Sequence, residues 1–392
     1  MAPVVRELAQ RESDVVSRVC VTGQHRELLD DVLDLFEIVP EYDLDVMRAN
    51  QSPTGVAADV LRGLEPVLAH ERPDWVLVQG DTTTAAVGAL AAFYAGARIG
   101  HVEAGLRSHE HREPFPEEVN RRVVGVTADV HFAPTEGARR NLLREGVPPA
   151  SIVLTGNPVI DALEHVRNLP PAPLPGLAGL PAGERIVLLT AHRRESFGAP
   201  LERICAAVDE LTLRFPDVRF VYPVHPNPAV RTVVTQALGG NRRVTLLDPL
   251  GYHELVTLLE RCWLVLTDSG GLQEEAPSLG KPVLVLRDVT ERLEGLEAGT
   301  VRLVGTDVQR IVEEATALFA SPGEYALMSE AVNPYGDGRA AARIVSALLG
   351  ETAETMPAAA APSIAASRAR SVTRARPGAR DSAAATGHAQ AV

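Results

Sequence analysis

Carboxylates, an imidazole, arginines and a glycine-rich turn are spread along this chain in a pattern that suits acid–base chemistry on a phosphorylated substrate. Asp81, Glu103, Glu117 and Glu118 lie in the first half. Positioned carboxylates take and return protons in a transition state, although each of these alone could be structural. The run His192-Arg193-Arg194-Glu195 joins a titratable ring to two guanidiniums. Their planar forks match phosphate oxygens; the alternative is a surface charge cluster. Asp268-Ser269-Gly270-Gly271 leads into LQEEAPSLG, which reads as a short helix. Glycine lets a backbone approach a ligand closely and a helix amino end favours an anion, so the turn reads as a phosphate seat. A tight strand-to-helix turn would also use glycine. Glu275, further along that helix, is placed either to accept from a ribose diol or to stand in solvent as an ordinary helix residue. The sole lysine, Lys281, is the one candidate for Schiff-base chemistry.

Other chemistries lack their markers. His101, Glu103, His109 and His111 are close in sequence but complete no zinc-type spacing, so no metal is expected. No GxGxxG follows a strand-like run and no Walker loop is present, which removes the usual signs of nicotinamide dinucleotides and ATP. The net charge is 38 − 51 = −13, whereas a nucleic-acid binder would show a basic face. No apolar run reaches the roughly 18 residues that span a bilayer, and the first residues carry no basic-then-apolar signal. Cys20, Cys205 and Cys262 are scattered, as in proteins of a reducing compartment. A cytoplasmic protein that binds neither nucleic acid nor membrane is expected.

An alternation of short apolar runs with helically spaced segments places these residues. The runs are 18–22, 75–79, 98–102, 130–134 and 151–155 in the first half, and 185–190, 219–224, 244–248, 263–267 and 282–286 in the second. Near-continuous apolar strands between amphipathic helices predict parallel sheets covered on both faces. The expected fold class is α/β, with two Rossmann-like doubly wound domains and a cleft between them. Ligands of such sheets bind beyond the carboxyl ends of the strands. Asp81, Glu103, His192, His225 and Asp268 all follow a run within two residues, so they can line one cleft. Residues 169–183, LPPAPLPGLAGLPAG, are dense in proline and glycine and predict a linker between domains at 1–168 and 184–338. From 351 to 392 the chain is mostly Ala, Arg, Ser, Thr and Pro; it lacks the apolar surface to offset its ordering entropy and is expected to be a disordered tail. A chain of 392 residues fits two domains, and 45% hydrophobic with 23% charged residues excludes disorder throughout.

Nine stretches carry a resemblance: VTGQHRELLD (21–30), VQGDTTT (78–84), GHVEAGLR (100–107), PFPEEVNRR (114–122), TGNPVIDAL (155–163), HRRESFG (192–198), YPVHPNP (222–228), TDSGGLQEEAPSLGKPVLVLRD (267–288) and NPYGDGRAA (333–341). From about residue 1 to 350 the chain resembles the non-hydrolysing UDP-N-acetylglucosamine 2-epimerases. The resemblance implies a glycosyltransferase-B-like fold with the nucleotide in the cleft, and a last helix, within 339–350, returning to the first domain. It implies interconversion of UDP-N-acetylglucosamine and UDP-N-acetylmannosamine for cell-envelope polysaccharide, usually by a homodimer. The C2 hydrogen of such a sugar is not alpha to a carbonyl. Departure of UDP from C1 makes it acidic, so elimination to a glycal and re-addition of UDP would invert C2 with no redox cofactor.

Carried onto this chain, the resemblance implies Asp81, Glu103 and Glu117 as acid–base groups and His192 near the sugar and diphosphate. It also implies Ser269 and Gly270 at phosphate, beside Gly271, and Glu275 at ribose; Arg193 is added as a phosphate contact from its own chemistry. Gln24 and His25 match the region where bacterial members hold a second, activating substrate molecule, and Asp31 stands where many have glutamine. Leu293 stands where proline is common. Members begin with a strand and a Gly-Thr-Arg-Pro-Glu loop before the helix that here opens the chain at MAPVVRELAQ. As written, the chain is expected to have a gap in its first sheet and to bind UDP weakly, with a misassigned start as the favoured explanation. The alternatives are a hydrolysing epimerase or a glycosyltransferase of the same fold, or an inactive UDP-sugar-binding protein.

Overall fold

The computed structural model describes residues 1–23, 26–48, 51–178, 183–352 and 356. Met1–Ala360 is one compact unit, and a second, Ala361–Val392, lies outside the described residues. Among the described residues there are twelve strands: β1 (Cys20–Val21), β2 (Tyr42–Asp43), β3 (Trp75–Gln79), β4 (Arg98–Val102), β5 (Val130–Ala133) and β6 (Ile152–Leu154), then β7 (Arg185–Thr190), β8 (Val218–Pro223), β9 (Val244–Leu247), β10 (Leu264–Thr267), β11 (Val283–Val285) and β12 (Val301–Leu303). β7 to β12 form one parallel sheet in the order β12-β11-β10-β7-β8-β9. β3 to β6 form a second parallel sheet in sequence order, and β1 and β2 pair as a sheet of their own. The architecture is that of two Rossmann-like α/β halves facing each other across a cleft.

Helices cover both faces, which is why the strands read as apolar throughout. In the second half, Val187, Leu189, Phe220, Leu264 and Leu266 are fully buried beneath the helices Ala199–Arg214 and Val308–Ala320. In the first half, Ala85, Ala86, Ala89 and Ala92 of the helix Thr83–Ala95 pack with Ile99 and Val124 on one face. On the other face Val4, Ile344 and Val345 meet Val102 and Phe132, so the helices Ala2–Ala9 and Ala340–Leu348 share a cover. The last helix is tied down by Asp161, which accepts from the backbone N–H groups of Ala340 (3.1 Å) and Ala341 (2.8 Å).

The ten expected strands are present with ends shifted by a residue or two, and two were missed. β2 has no apolar run to announce it, and β12 is three residues with an arginine in the middle. The linker segment is also less free than its composition suggests. Pro175–Leu177 forms a 3₁₀ turn, and Leu177 is buried in the second-half core. Residue 351, assigned to the tail, is held: Glu351 pairs with Arg11, and most of the remaining tail is outside the described residues. No helix among the described residues is long and apolar enough to cross a membrane.

Candidate functional site

In the six-stranded sheet of the second half the strand order reverses between β7 and β10, and a crevice opens beyond the carboxyl ends of strands at such a point. Thr190 and Thr267 end these strands in register, and their hydroxyls hydrogen-bond at 2.5 Å. Asp268 comes next and is fully buried. Its Oδ2 accepts from the backbone N–H groups of His192 and Arg193, both at 2.8 Å, and from Ser196 Oγ at 2.9 Å. Asp268 therefore fastens the His192 turn to the glycine turn. The His192 ring is left facing solvent, its Nδ1 3.4 Å from Asp268 Oδ1, and it stacks parallel on His225 with centroids 5.9 Å apart.

The glycine turn is shaped by an arginine. A Cβ on Gly270 would sit 2.6 Å from Nη1 of Arg292, so the guanidinium occupies the space that any other residue would need. Ser269 donates its backbone N–H to Thr267 Oγ1 at 2.9 Å, and Gly271 precedes the helix Leu272–Ser278. Glu275 on that helix is not solvated. It is 5% exposed and accepts from the Tyr252 hydroxyl at 2.7 Å, and burial raises its proton affinity above the usual carboxylate range. The solvent reading of Glu275 is thereby corrected.

Asp81 follows Gly80 at the end of β3. Its Oδ2 accepts from Arg121 Nε at 3.1 Å and its backbone carbonyl from Asn120 Nδ2 at 2.9 Å. Both donors lie on the helix Glu117–Thr127, so this pairing fixes where Glu117 stands. Glu118 is spent on structure: fully buried, it pairs with Arg121 and Arg122, both at 3.1 Å, and accepts from the Ser108 N–H. Glu117 differs. Its Oε2 is buried and accepts no hydrogen bond among the described residues, so it retains capacity for a ligand.

Glu103 has φ +64° at the end of β4, a left-handed conformation that a residue other than glycine adopts at a cost and that clusters at functional sites. Its carboxylate accepts from Gln79 Nε2 (3.4 Å) and Asn157 Nδ2 (3.5 Å) and lies 3.7 Å from Arg292 Nη2. Burial raises its proton affinity, Arg292 opposes that, and Asp81 adds to it. Arg292 is the residue that sequence reasoning missed. It joins the glycine turn of one half to Glu103 of the other and also binds Glu274 (2.6 Å) and Glu291 (2.5 Å). Its signal is in the sequence: RDVTER follows the apolar run 282–286 as a polar turn beyond a strand, like those that carry Asp81, Glu103, His192, His225 and Asp268.

The other expected site residues divide. His101 donates its Nε2–H to the Gly80 carbonyl at 2.9 Å, and burial pushes its pKa down to about 3. It is a neutral structural ring. Arg193 is half-buried beside the same turn as His192. Gln24 and His25 lie outside the described residues.

Residues 6–349 match the family model described as UDP-N-acetylglucosamine 2-epimerase. The chain belongs to the UDP-N-acetylglucosamine 2-epimerase family. It is an isomerase. The Escherichia coli UDP-N-acetylglucosamine 2-epimerase is 52% identical over 355 residues, 89% of this chain and 94% of that one. The Neisseria meningitidis UDP-GlcNAc 2-epimerase, solved bound to UDP-GlcNAc, superposes with a TM-score of 0.83 at 44% identity over 90% of this chain and 96% of the other. The S. aureus MnaA–UDP co-structure superposes with a TM-score of 0.85 at 47% identity over 91% and 95%. One departure of this epimerase from the family pattern has a local consequence. Leu293 is the first residue of the helix Leu293–Ala298 and is 48% exposed. Proline suits that position, because the missing N–H has no helical partner there. Leu293→Pro is expected to raise stability in a urea titration by about 0.5 kcal/mol with turnover unchanged; a loss of stability would show that the local backbone does not accept proline.

Proposed function

We propose that this chain interconverts UDP-N-acetylglucosamine and UDP-N-acetylmannosamine by elimination and re-addition of UDP. The observation that carries the reading is Arg292, which sets a partly buried carboxylate, Glu103, beside a glycine turn shaped for an anion. A carboxylate base takes the C2 proton as the C1–O bond to UDP breaks, and its electron pair becomes the C1–C2 double bond of a glycal. A proton returned to the opposite face of C2, with UDP re-adding to C1, completes the inversion. Glu103, Asp81 and Glu117 are the acid–base groups, each supplying roughly 10² to 10⁴ in rate. Ser269, Gly270, Gly271, Arg193 and His192 hold the diphosphate. Preorganised donors there stabilise the charge that grows on the leaving group. Glu275, already bound by Tyr252, holds the ribose. The solved neighbours carry UDP-GlcNAc or UDP, which supports this substrate. Two further parts complete the proposal: a second substrate molecule acts as activator through Gln24 and His25, and the product feeds cell-envelope polysaccharide synthesis in the cytoplasm. The active form is a homodimer, a reading supported by the exposed Phe93, Tyr94 and Val126 on adjoining helices.

The test follows sugar and nucleotide together in deuterated water. UDP-N-acetylmannosamine carrying deuterium at C2, with little free UDP, is the expected outcome. Stoichiometric free UDP with free N-acetylmannosamine would indicate hydrolysis, and binding without turnover an inactive binding protein. Retention of the original C2 hydrogen would contradict elimination and point to a transient oxidation.

A further inference from the structure

Glu274 lies in the helix Leu272–Ser278, is 1% exposed, and has no part in the reaction described above. Its two oxygens are committed to the groups that also hold Glu103. Oε1 accepts from Arg292 Nε at 2.6 Å, while Arg292 Nη2 stands 3.7 Å from Glu103 Oε1. Oε2 accepts from Asn157 Nδ2 at 2.6 Å, and the same nitrogen is 3.5 Å from Glu103 Oε1. One guanidinium and one amide are thus divided between a buried carboxylate, Glu274, and a partly buried one, Glu103, from opposite halves of the molecule, and Glu274 has the shorter contact to each.

We infer that Glu274 is a positioning residue for Glu103: by sharing Arg292 and Asn157 with it, Glu274 sets how tightly Glu103 holds a proton during turnover. This rests on Glu103 being an acid–base group of the reaction. The charge count supports it. Arg292 serves Glu103, Glu274 and Glu291, and the other cation of Glu291, Arg287 at 3.1 Å, is shared with Glu195 at 2.6 Å. Glu103 and Glu274 are left with at most about one positive charge between them, which favours retention of a proton by the pair. Burial raises the proton affinity of both, and the charge of Glu103 raises that of Glu274 further. The other titratable or charged groups facing the pair are Asp81 after β3, the Met1 amine at the start of the first helix and the Tyr335 phenol.

The test is the pH profile of turnover in the full chain, with two variants that act in opposite directions. Glu274→Gln removes a neighbouring negative charge and frees Arg292 for Glu103. The limb assigned to Glu103 is expected to move down by about one pH unit, a tenfold change in proton affinity. Asn157→Asp keeps the oxygen that accepts from the Val159 N–H and caps its helix, but replaces the amide donor with an acid. The same limb is expected to move up, with kcat changing more than KM in both variants. Limbs that stay at the parental pH in Asn157→Asp, or in a folded Glu274→Gln, overturn the inference. If Glu274→Gln does not fold, Asn157→Asp alone decides. Glu103→Gln separates the premise: near-parental turnover there removes Glu103 from the chemistry, whereas lost turnover with unmoved limbs in the other two variants leaves Glu103 in place and removes only the role of Glu274.

Discussion

Glu103→Gln is expected to lower turnover by about 10²- to 10⁴-fold while UDP still binds and the fold stays intact. The amide keeps the shape of the carboxylate but cannot exchange a proton with C2. The fold is spared because Arg292 retains Glu274 and Glu291 as partners. Burial raises the proton affinity of Glu103 in the folded state. Such a group contributes stability below its unfolded pKa and loses it as pH rises through the folded pKa. Removing the charge should therefore leave the protein at least as stable as the parent at pH 7. Asp81→Asn is expected to lose turnover too, but with a stability cost, since Arg121 would keep only Glu118 as a charged partner. Comparing thermal midpoints with turnover distinguishes the two. Near-parental turnover in Glu103→Gln would remove it from the acid–base set.

That contrast between two carboxylates was not legible in the sequence. Asp81 and Glu103 look alike there, each a polar residue just beyond an apolar run. Strand-end position located them because it follows from the parallel sheet, and the parallel sheet follows from apolar runs in alternation with helices. What the runs could not show is what each side chain meets. Asp81 meets Arg121, forty residues on, and Glu103 meets Asn157 and Arg292, which come from other turns. Glu118 stood beside Glu117 as an equal candidate, yet helix geometry sends Glu118 to Arg121 and Arg122 at positions i+3 and i+4 and leaves Glu117 at the first turn with a buried free oxygen. β2 and β12 escaped for another reason: Asp43 in one and Arg302 in the other interrupt the apolar run by which the equally short β1, β6 and β11 are legible.

Arg292→Leu is expected to be the most damaging single change to stability. The side chain is 11% exposed and touches Glu274, Glu291 and Glu103. Leucine would leave those carboxylates in a dry site without the shared cation, and breaking a buried pair from one side costs roughly 3–5 kcal/mol. Native stability is commonly about 5–15 kcal/mol, so a large part of it is at stake. The loss has a pH signature. Burial already raises the proton affinity of Glu103 and Glu274, and without Arg292 it rises further. Stability that depends on such raised groups is present at low pH and lost as pH rises through their folded values, so the deficit should shrink on acidification. Arg292→Lys keeps a charge but not the fork that reaches several partners; it should recover much of the stability and little of the turnover. Gly270→Ala provides the converse test, because its Cβ would sit 2.6 Å from Arg292 Nη1 and push the guanidinium aside without removing it. It should weaken UDP binding with a smaller stability loss. Urea titrations of Arg292→Leu at pH 5.5 and pH 8 decide the matter: an equal deficit at both would mean that Arg292 acts through packing, and its role as the shared cation of the cleft would fall.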